Sequence, residues 1–134
     1  MRIFYTANSA PMLLDTQQEL NAAYRRLKTF VSSGEETLVL TCETDGDPEP
    51  YEMFLNRLRI RKTSGALSLQ LTPDHWLDLN GAVDHLARYI EFFQFDEECG
   101  HHHPEYVEIP GYISPTSMSL IIEADSTWPG FDAE

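Results

Sequence analysis

Positive charge is nearly absent from the second half of this 134-residue chain. Residues 63–134 contain one basic side chain, Arg88, and 13 acidic ones, whereas residues 1–62 contain 8 basic and 9 acidic side chains. A net charge of −13 repels nucleic acid and anionic membranes. We therefore predict no nucleic-acid partner and no membrane partner, and we interpret the charge as serving either solubility or a basic protein partner.

Cysteine is scarce as well. The two cysteines, Cys42 and Cys99, have no spacing typical of a disulfide framework. No apolar run approaches the roughly 20 residues of a membrane span. No charged and then apolar leader precedes Asn8. These absences predict a cytoplasmic protein with reduced thiols.

Recognisable catalytic motifs are also missing. The sequence has no phosphate-binding loop, no glycine-rich dinucleotide turn, no nucleophile elbow and no metalloprotease helix. A cysteine nucleophile would need a histidine base positioned across the fold, and no spacing indicates one. We therefore expect a protein that is not an enzyme and that uses no cofactor.

Two stretches have helical spacing of apolar residues. The first, Leu13 to Val31, predicts a helix that begins near Pro11 and stops at Gly34. The second, Val83 to Phe93, predicts a helix that Asn80 can cap. With 42% hydrophobic residues, the chain has enough apolar area to form a core for these helices.

Short segments rich in β-forming residues predict the strands. These segments are residues 2–6, 37–43, 53–62, 67–71, 76–79, 105–109 and 118–124. A turn at Ser64-Gly65 predicts that 53–62 and 67–71 form a hairpin, and the tail 126–134 is expected to be irregular. The order of elements predicts a single α+β domain, with a mainly antiparallel sheet of about 5–7 strands and two helices packed on one face.

Three arginines, Arg57, Arg59 and Arg61, lie at alternate positions of the third predicted strand. They form either an anion-binding site or the solvated face of a strand, paired with local acidic side chains. We favour the second interpretation because exposed ion pairs are common and weak.

Chemistry-bearing side chains concentrate in residues 96–106, where Asp96-Glu97-Glu98 is followed by Cys99-Gly100-His101-His102-His103-Pro104-Glu105-Tyr106. If this segment is extended, His101, His103 and Glu105 share one face and His102 lies on the other. Four nominal zinc ligands are present in Cys99, His101, His103 and Glu105, with His75 and His85 more remote. Because zinc motifs usually have paired spacings, which are missing here, we predict no metal site.

From residue 67 to residue 124 the sequence resembles family 32 of the bacterial immunity proteins, which neutralise polymorphic toxins. The matching elements are Leu77-Asp78-Leu79-Asn80-Gly81, the helix Val83 to Phe93, the entry His101-His102-His103-Pro104-Glu105-Tyr106 and the terminal strand Ser117 to Ile122. The resemblance implies a bacterial, non-enzymatic inhibitor, made in the cytoplasm, that binds tightly over the working surface of a toxin.

The sequence thus predicts an acidic binding protein that neutralises a cognate toxin by direct contact, with a basic toxin domain as the expected partner. The predicted partner surface consists of Asp96, Glu97, Glu98, His101, His103 and Glu105. Two alternatives remain: a small metal-binding domain that uses Cys99, His101 and His103, and a structural subunit of a larger complex that uses the three arginines as its contact.

Overall fold

The computed structural model describes residues 1–105 and 109–127 of the chain. Within these residues the chain forms nine strands, two α-helices and one short 3-10 helix, Glu91–Phe93. The strands are β1 Arg2–Tyr5, β2 Met12–Asp15, β3 Thr37–Thr41, β4 Met53–Leu55, β5 Arg57–Lys62, β6 Ser68–Leu71, β7 Leu77–Gly81, β8 Cys99–His102 and β9 Ile121–Asp125. The helices are α1 Gln17–Ser32 and α2 Val83–Ile90.

The strands divide between two mixed sheets, one of five strands in the order β4-β1-β2-β9-β8 and one of four in the order β3-β5-β7-β6. The pairs β2–β9 and β5–β7 are parallel, and the other pairs are antiparallel. The predicted α+β class, with two helices and mainly antiparallel pairing, is confirmed. The strands form two sheets rather than one because the predicted strand 53–62 breaks at Asn56, and its two parts join different sheets.

The first helix begins later than predicted. Met12–Asp15 forms a strand, in which Leu13 is fully buried between β1 and β9. Helix α1 starts after Thr16, whose hydroxyl accepts a hydrogen bond from the Glu19 N–H at 3.1 Å. This N-cap satisfies an N–H group that no earlier turn of helix could pair. The helix ends at Ser32, close to the predicted stop at Gly34.

The predicted hairpin between residues 53–62 and 67–71 is wrong. Strand β7 lies between β5 and β6, parallel to the first and antiparallel to the second. The true hairpin joins β6 to β7, and the Thr72 N–H donates to the carbonyl oxygen of Trp76 at its turn. The Ser64-Gly65 turn thus leads into a strand that pairs with a later segment.

The second helix lies where its apolar spacing predicts, but Asn80 belongs to β7 and does not cap it. Its N-cap is Ala82, which makes no side-chain capping bond. The predicted strand 105–109 includes residues 106–108, which lie outside the described part of the chain, as do residues 128–134 of the predicted tail. The antiparallel partner of β9 is β8, formed by the earlier segment Cys99–His102.

One hydrophobic core is shared by both sheets and both helices. Its fully buried members include Ile3, Leu13, Leu20, Leu27, Leu58, Leu69, Leu79, Leu86 and Ile122. A smaller cluster of Phe4, Leu14 and Phe54 lies on the opposite face of the five-stranded sheet. Both sheets therefore direct an apolar face to a common interior. The other face of the five-stranded sheet carries the smaller apolar cluster beside polar side chains, and that of the four-stranded sheet carries mainly charged and polar ones.

Candidate functional site

The predicted partner surface begins at a bend of three exposed acids, Asp96, Glu97 and Glu98, which we call the acidic bend. It connects the 3-10 helix to β8, the edge strand of the five-stranded sheet. The Ser126 N–H donates to the carbonyl oxygen of Glu98 at 3.2 Å and ties the bend to the chain after β9. The three carboxylates therefore project from an anchored backbone.

The histidines that follow the bend point in different directions. His101 is exposed and pairs in register with Glu123, whereas His102 pairs with Ile122 of the core. Residues directly opposite each other in antiparallel strands share a sheet face. His101 therefore lies on the outer face and His102 on the inner one. The ring of His103, just after β8, lies 5.3 Å from that of His101 and nearly perpendicular to it.

Cys99 lies on the outer face, where its register partner is Asp125. Its Sγ donates a long hydrogen bond of 3.7 Å to Oδ1 of Asp125, which also accepts bonds from the N–H and the hydroxyl of Thr127. The bonds from Thr127 are the main reason that the pKa of Asp125 is lowered. In the described part of the chain, no three His, Cys, Asp or Glu side chains are grouped so that they could hold a metal ion.

Glu105 does not continue the alternation of β8, because the strand ends at His102 and Pro104 has no N–H to extend it. It is half-buried, and its Oε2 accepts from the Leu120 N–H at 3.4 Å. Its Oε1 and the hydroxyl oxygens of Tyr89 and Tyr112 are buried without a hydrogen-bond partner in residues 1–105 and 109–127. One side of this carboxylate is thus turned into the protein.

Burial is the main cause of the pKa shifts of Glu105, Tyr89 and Tyr112. Loss of solvent raises the pKa of Glu105, while its own N–H, the Leu120 N–H and the charge of His103 act in the opposite direction. Burial also raises the pKa of Tyr112 to about 12 and that of Tyr89 well above its ordinary value. Both tyrosine hydroxyls therefore remain protonated at neutral pH.

The three arginines lie on the outer face of the four-stranded sheet. Arg59 donates to both carboxylate oxygens of Asp78, at 3.1 and 2.8 Å, and Arg61 lies 3.4 Å from the same carboxylate. Arg57 instead lies over the ring of Trp76, with 4.3 Å from its Cζ to the ring centroid. Trp76 lies just before β7 and Asp78 lies within it, and no local signal in the sequence connects either residue with the arginines.

Comparison with protein-family models, curated proteins and solved structures finds no match to this chain. No helix in the described residues is long and apolar enough to cross a membrane. The fold and the two surfaces define the molecule as an α+β protein with two sheets, each of which has charged side chains on its outer face. Its function has to be inferred from those faces.

Proposed function

We propose that this chain is a non-enzymatic, acidic binding protein, and specifically an immunity factor that neutralises a cognate bacterial toxin by direct contact in the cytoplasm. The observation that carries the proposal is the acidic bend, three consecutive exposed carboxylates held beside an edge strand. Charged side chains at the rim of an interface accelerate association with a partner of opposite charge. The bend offers such a rim to a basic toxin domain.

Strand β8 supplies the second part of the surface. One edge of β8 pairs with β9, and its other edge has no strand partner in the described residues. An open edge can accept a strand from another protein through backbone hydrogen bonds. His101 and His103, whose rings are in contact, add hydrogen-bonding groups beside the acids. In this proposal charge steers the partner, while the strand edge and the histidines fix its register.

The experiment requires a toxin domain, for which the first candidate is a reading frame encoded beside this chain. The carboxyl-terminal domain of that neighbour, expressed alone, should arrest growth, and co-expression of this chain should restore it. The association rate constant of the purified pair should fall about tenfold or more when salt rises from low to physiological concentration, because ions screen the attraction. If the toxin domain arrests growth and co-expression of this chain does not restore it, the proposal is contradicted.

A matched pair of variants isolates the acidic bend. Glu97→Gln/Glu98→Gln removes two adjacent exposed carboxylates from the bend, and Glu35→Gln/Glu36→Gln removes two adjacent exposed carboxylates before β3. Both variants change the net charge equally. The first should slow association several-fold and the second should leave it nearly unchanged. Equal effects would mean that total charge, rather than this surface, governs binding.

The metal-binding alternative makes a different prediction. Protein purified without an affinity tag or added metal would then contain stoichiometric zinc, and His101→Ala would abolish it. The immunity proposal predicts no such dependence, and it predicts that His101→Ala weakens binding of the toxin domain. Elemental analysis of the two proteins therefore distinguishes the two functions.

A further inference from the structure

A second polar surface lies on the central strands of the four-stranded sheet, whereas the acidic bend adjoins the five-stranded sheet. Leu58 and Ile60 of β5 point into the core, so the alternate residues of that strand point outward. Strand β7 lies beside β5 in parallel register, with Asp78 opposite Arg59. We call the outward set the arginine face, and it consists of Arg57, Arg59, Arg61, Trp76, Asp78 and Asn80.

The guanidinium groups on this face are held in place by their neighbours. Arg59 makes two hydrogen bonds to Asp78, and the Arg61 Nε donates to Oδ1 of Asn80 at 2.8 Å. The indole of Trp76 receives Arg57 at 4.3 Å and Arg59 at 4.9 Å from Cζ to ring centroid. A guanidinium that is already ordered loses little rotamer entropy when a ligand binds. The face is therefore preorganised.

The charge of the arginine face is opposite in sign to that of the molecule. The face carries three guanidiniums and one carboxylate, that of Asp78, which pairs with Arg59 and Arg61, in a chain whose net charge is −13. Arg57 is exposed and forms no ion pair with a carboxylate in the described residues. The flanking strands carry only uncharged side chains on this face, namely Thr37, Val39 and Thr41 of β3 and Ser68 and Gln70 of β6. Nothing on those strands neutralises the excess charge.

We propose that the arginine face binds an extended acidic segment of a protein partner. Alternate residues of β5 are about 6.6 Å apart, which is also the spacing of alternate side chains in an extended peptide. Carboxylates at every second position of that peptide can therefore approach the three guanidiniums. Arg57 can bind one through paired N–H groups, whereas Arg59 and Arg61 offer the N–H groups that do not already contact Asp78 and Asn80. Arginine and tryptophan are also the residues that most often anchor protein interfaces.

A short acidic segment fits this face better than a nucleic acid does. Guanidiniums already lie against the Trp76 ring, which limits its use as a platform for stacking bases. A polynucleotide would also continue beyond the face and meet the acidic remainder of the protein, whereas two or three carboxylates stay within it. At physiological salt, charges farther away than about 8 Å are largely screened. The local positive face then determines what binds.

The test uses three synthetic peptides and the intact protein. One peptide alternates glutamate with threonine and has three glutamates, a second has glutamine in place of each glutamate, and a third has the three glutamates in one block. Titration calorimetry at physiological salt should rank the alternating acidic peptide first, with the glutamine peptide at least tenfold weaker. Shifts of the Arg57 Nε–H resonance in NMR spectra should report the contact directly.

Variants separate this face from general charge. Arg57→Gln should weaken binding of the alternating peptide about tenfold or more, since it removes a charge-assisted hydrogen-bonded pair. Arg57→Lys should restore part of the loss, because lysine keeps the charge but lacks the planar fork. Arg25→Gln removes an exposed arginine from helix α1 and should change the affinity by less than twofold.

Three results would overturn the inference. These are equal binding of the glutamate and glutamine peptides, equal losses with Arg57→Gln and Arg25→Gln, and tighter binding of a thymidine oligonucleotide than of the alternating peptide. The last result would assign the face to nucleic acid. The toxin experiments depend on Glu97 and Glu98 instead, so either proposal can fail without the other.

Discussion

The imidazole of His102 lies flat on the ring of Phe95, with 4.1 Å between the ring centroids and 10° between the planes. Its Nδ1 is 2.8 Å from the carbonyl oxygen of Phe92. Since a carbonyl oxygen can only accept, Nδ1 carries the hydrogen of this bond. The central histidine of the cluster thus joins β8 to the 3-10 helix and the residues just after it, while its neighbour His101 is exposed.

This contact predicts that replacing His102 destabilises the fold much more than replacing the adjacent His101. His102→Ala should lower the free energy of unfolding by about 1–3 kcal/mol, because it removes a stacked ring and a hydrogen bond. His101→Ala should change it by less than about 0.5 kcal/mol, as is usual at exposed positions. Urea unfolding of the two variants provides the measurement. Comparable losses in both would mean that β8 does not have the register described.

Glu105 predicts a dependence of stability on pH. Because burial raises its pKa, the folded state holds this proton more tightly than the unfolded chain does. The stabilisation associated with the proton is complete below the ordinary glutamate pKa of about 4.3, and it is lost as pH rises through the folded-state value. Glu105→Gln cannot titrate and still presents an oxygen to the Leu120 N–H. Its stability relative to the natural protein should therefore increase with pH.

Urea unfolding of both proteins between about pH 4 and about pH 7 measures this difference. Glu97→Gln, at an exposed site, serves as the control. A constant offset between Glu105→Gln and the natural protein across this range would show that the Glu105 carboxylate titrates alike in the folded and unfolded states.

The two thiols should differ sharply in reactivity. Burial raises the pKa of Cys42 to about 12, so the reactive thiolate is almost absent at pH 8. Cys99 is exposed on the outer face of β8. A thiol reagent such as Ellman's reagent should therefore titrate one cysteine in the native protein and two in urea. With Cys99→Ser the native signal should disappear, and a persistent fast-reacting thiol would refute the burial of Cys42.

Gly81 allows a close approach at the end of β7. A Cβ at this position would overlap Cδ2 of Leu67 and lie 3.2 Å from the Leu67 Cα. Leu67 is fully buried, and its backbone is fixed by hydrogen bonds to the Tyr112 carbonyl and from the Ser114 N–H, both 2.8 Å. Gly81→Ala should therefore destabilise the fold by about 1–3 kcal/mol through overpacking.

Gly34 provides the control for this substitution, because a Cβ there meets no atom within 4 Å. Gly34→Ala should be neutral or slightly stabilising, since alanine restricts the unfolded chain. Thermal unfolding of both variants makes the comparison. If the two variants have the same melting temperature, the contact between Gly81 and Leu67 is not a constraint on this fold.

Local patterns in the sequence predicted the helices, and their limits have physical causes. The buried positions Leu20, Tyr24, Leu27 and Phe30 of α1 follow the expected three- and four-residue spacing. The same spacing wrongly included Leu13. Its separation of seven residues from Leu20 matches two turns of a helix, although Leu13 lies in a strand. The pattern Thr16-x-x-Glu19 was the better signal, because Thr three residues before Glu is typical of a helix start.

Pairing between distant segments could not be predicted in this way. The parallel register of β5 with β7 brings Arg59 to Asp78, which lies 19 residues later in the chain. Nothing near either residue specifies that partner, because strand order depends on how the whole apolar surface is buried. The sequence also predicted alternation through Glu105, but the strand ends at His102, before Pro104, and the carboxylate turns inward.

Asn56 is the one residue between β4 and β5, and so between the two sheets. Its carbonyl oxygen accepts from the Cys42 N–H at 2.9 Å, and its own N–H and side-chain amide donate to the carbonyls of His75 and Asp74. A joint fixed by three hydrogen bonds leaves little freedom for one sheet to open while the other stays closed. Those amide hydrogens of β4 and β5 that bond to a neighbouring strand should consequently be protected from exchange to the same degree, as expected where local opening requires global unfolding.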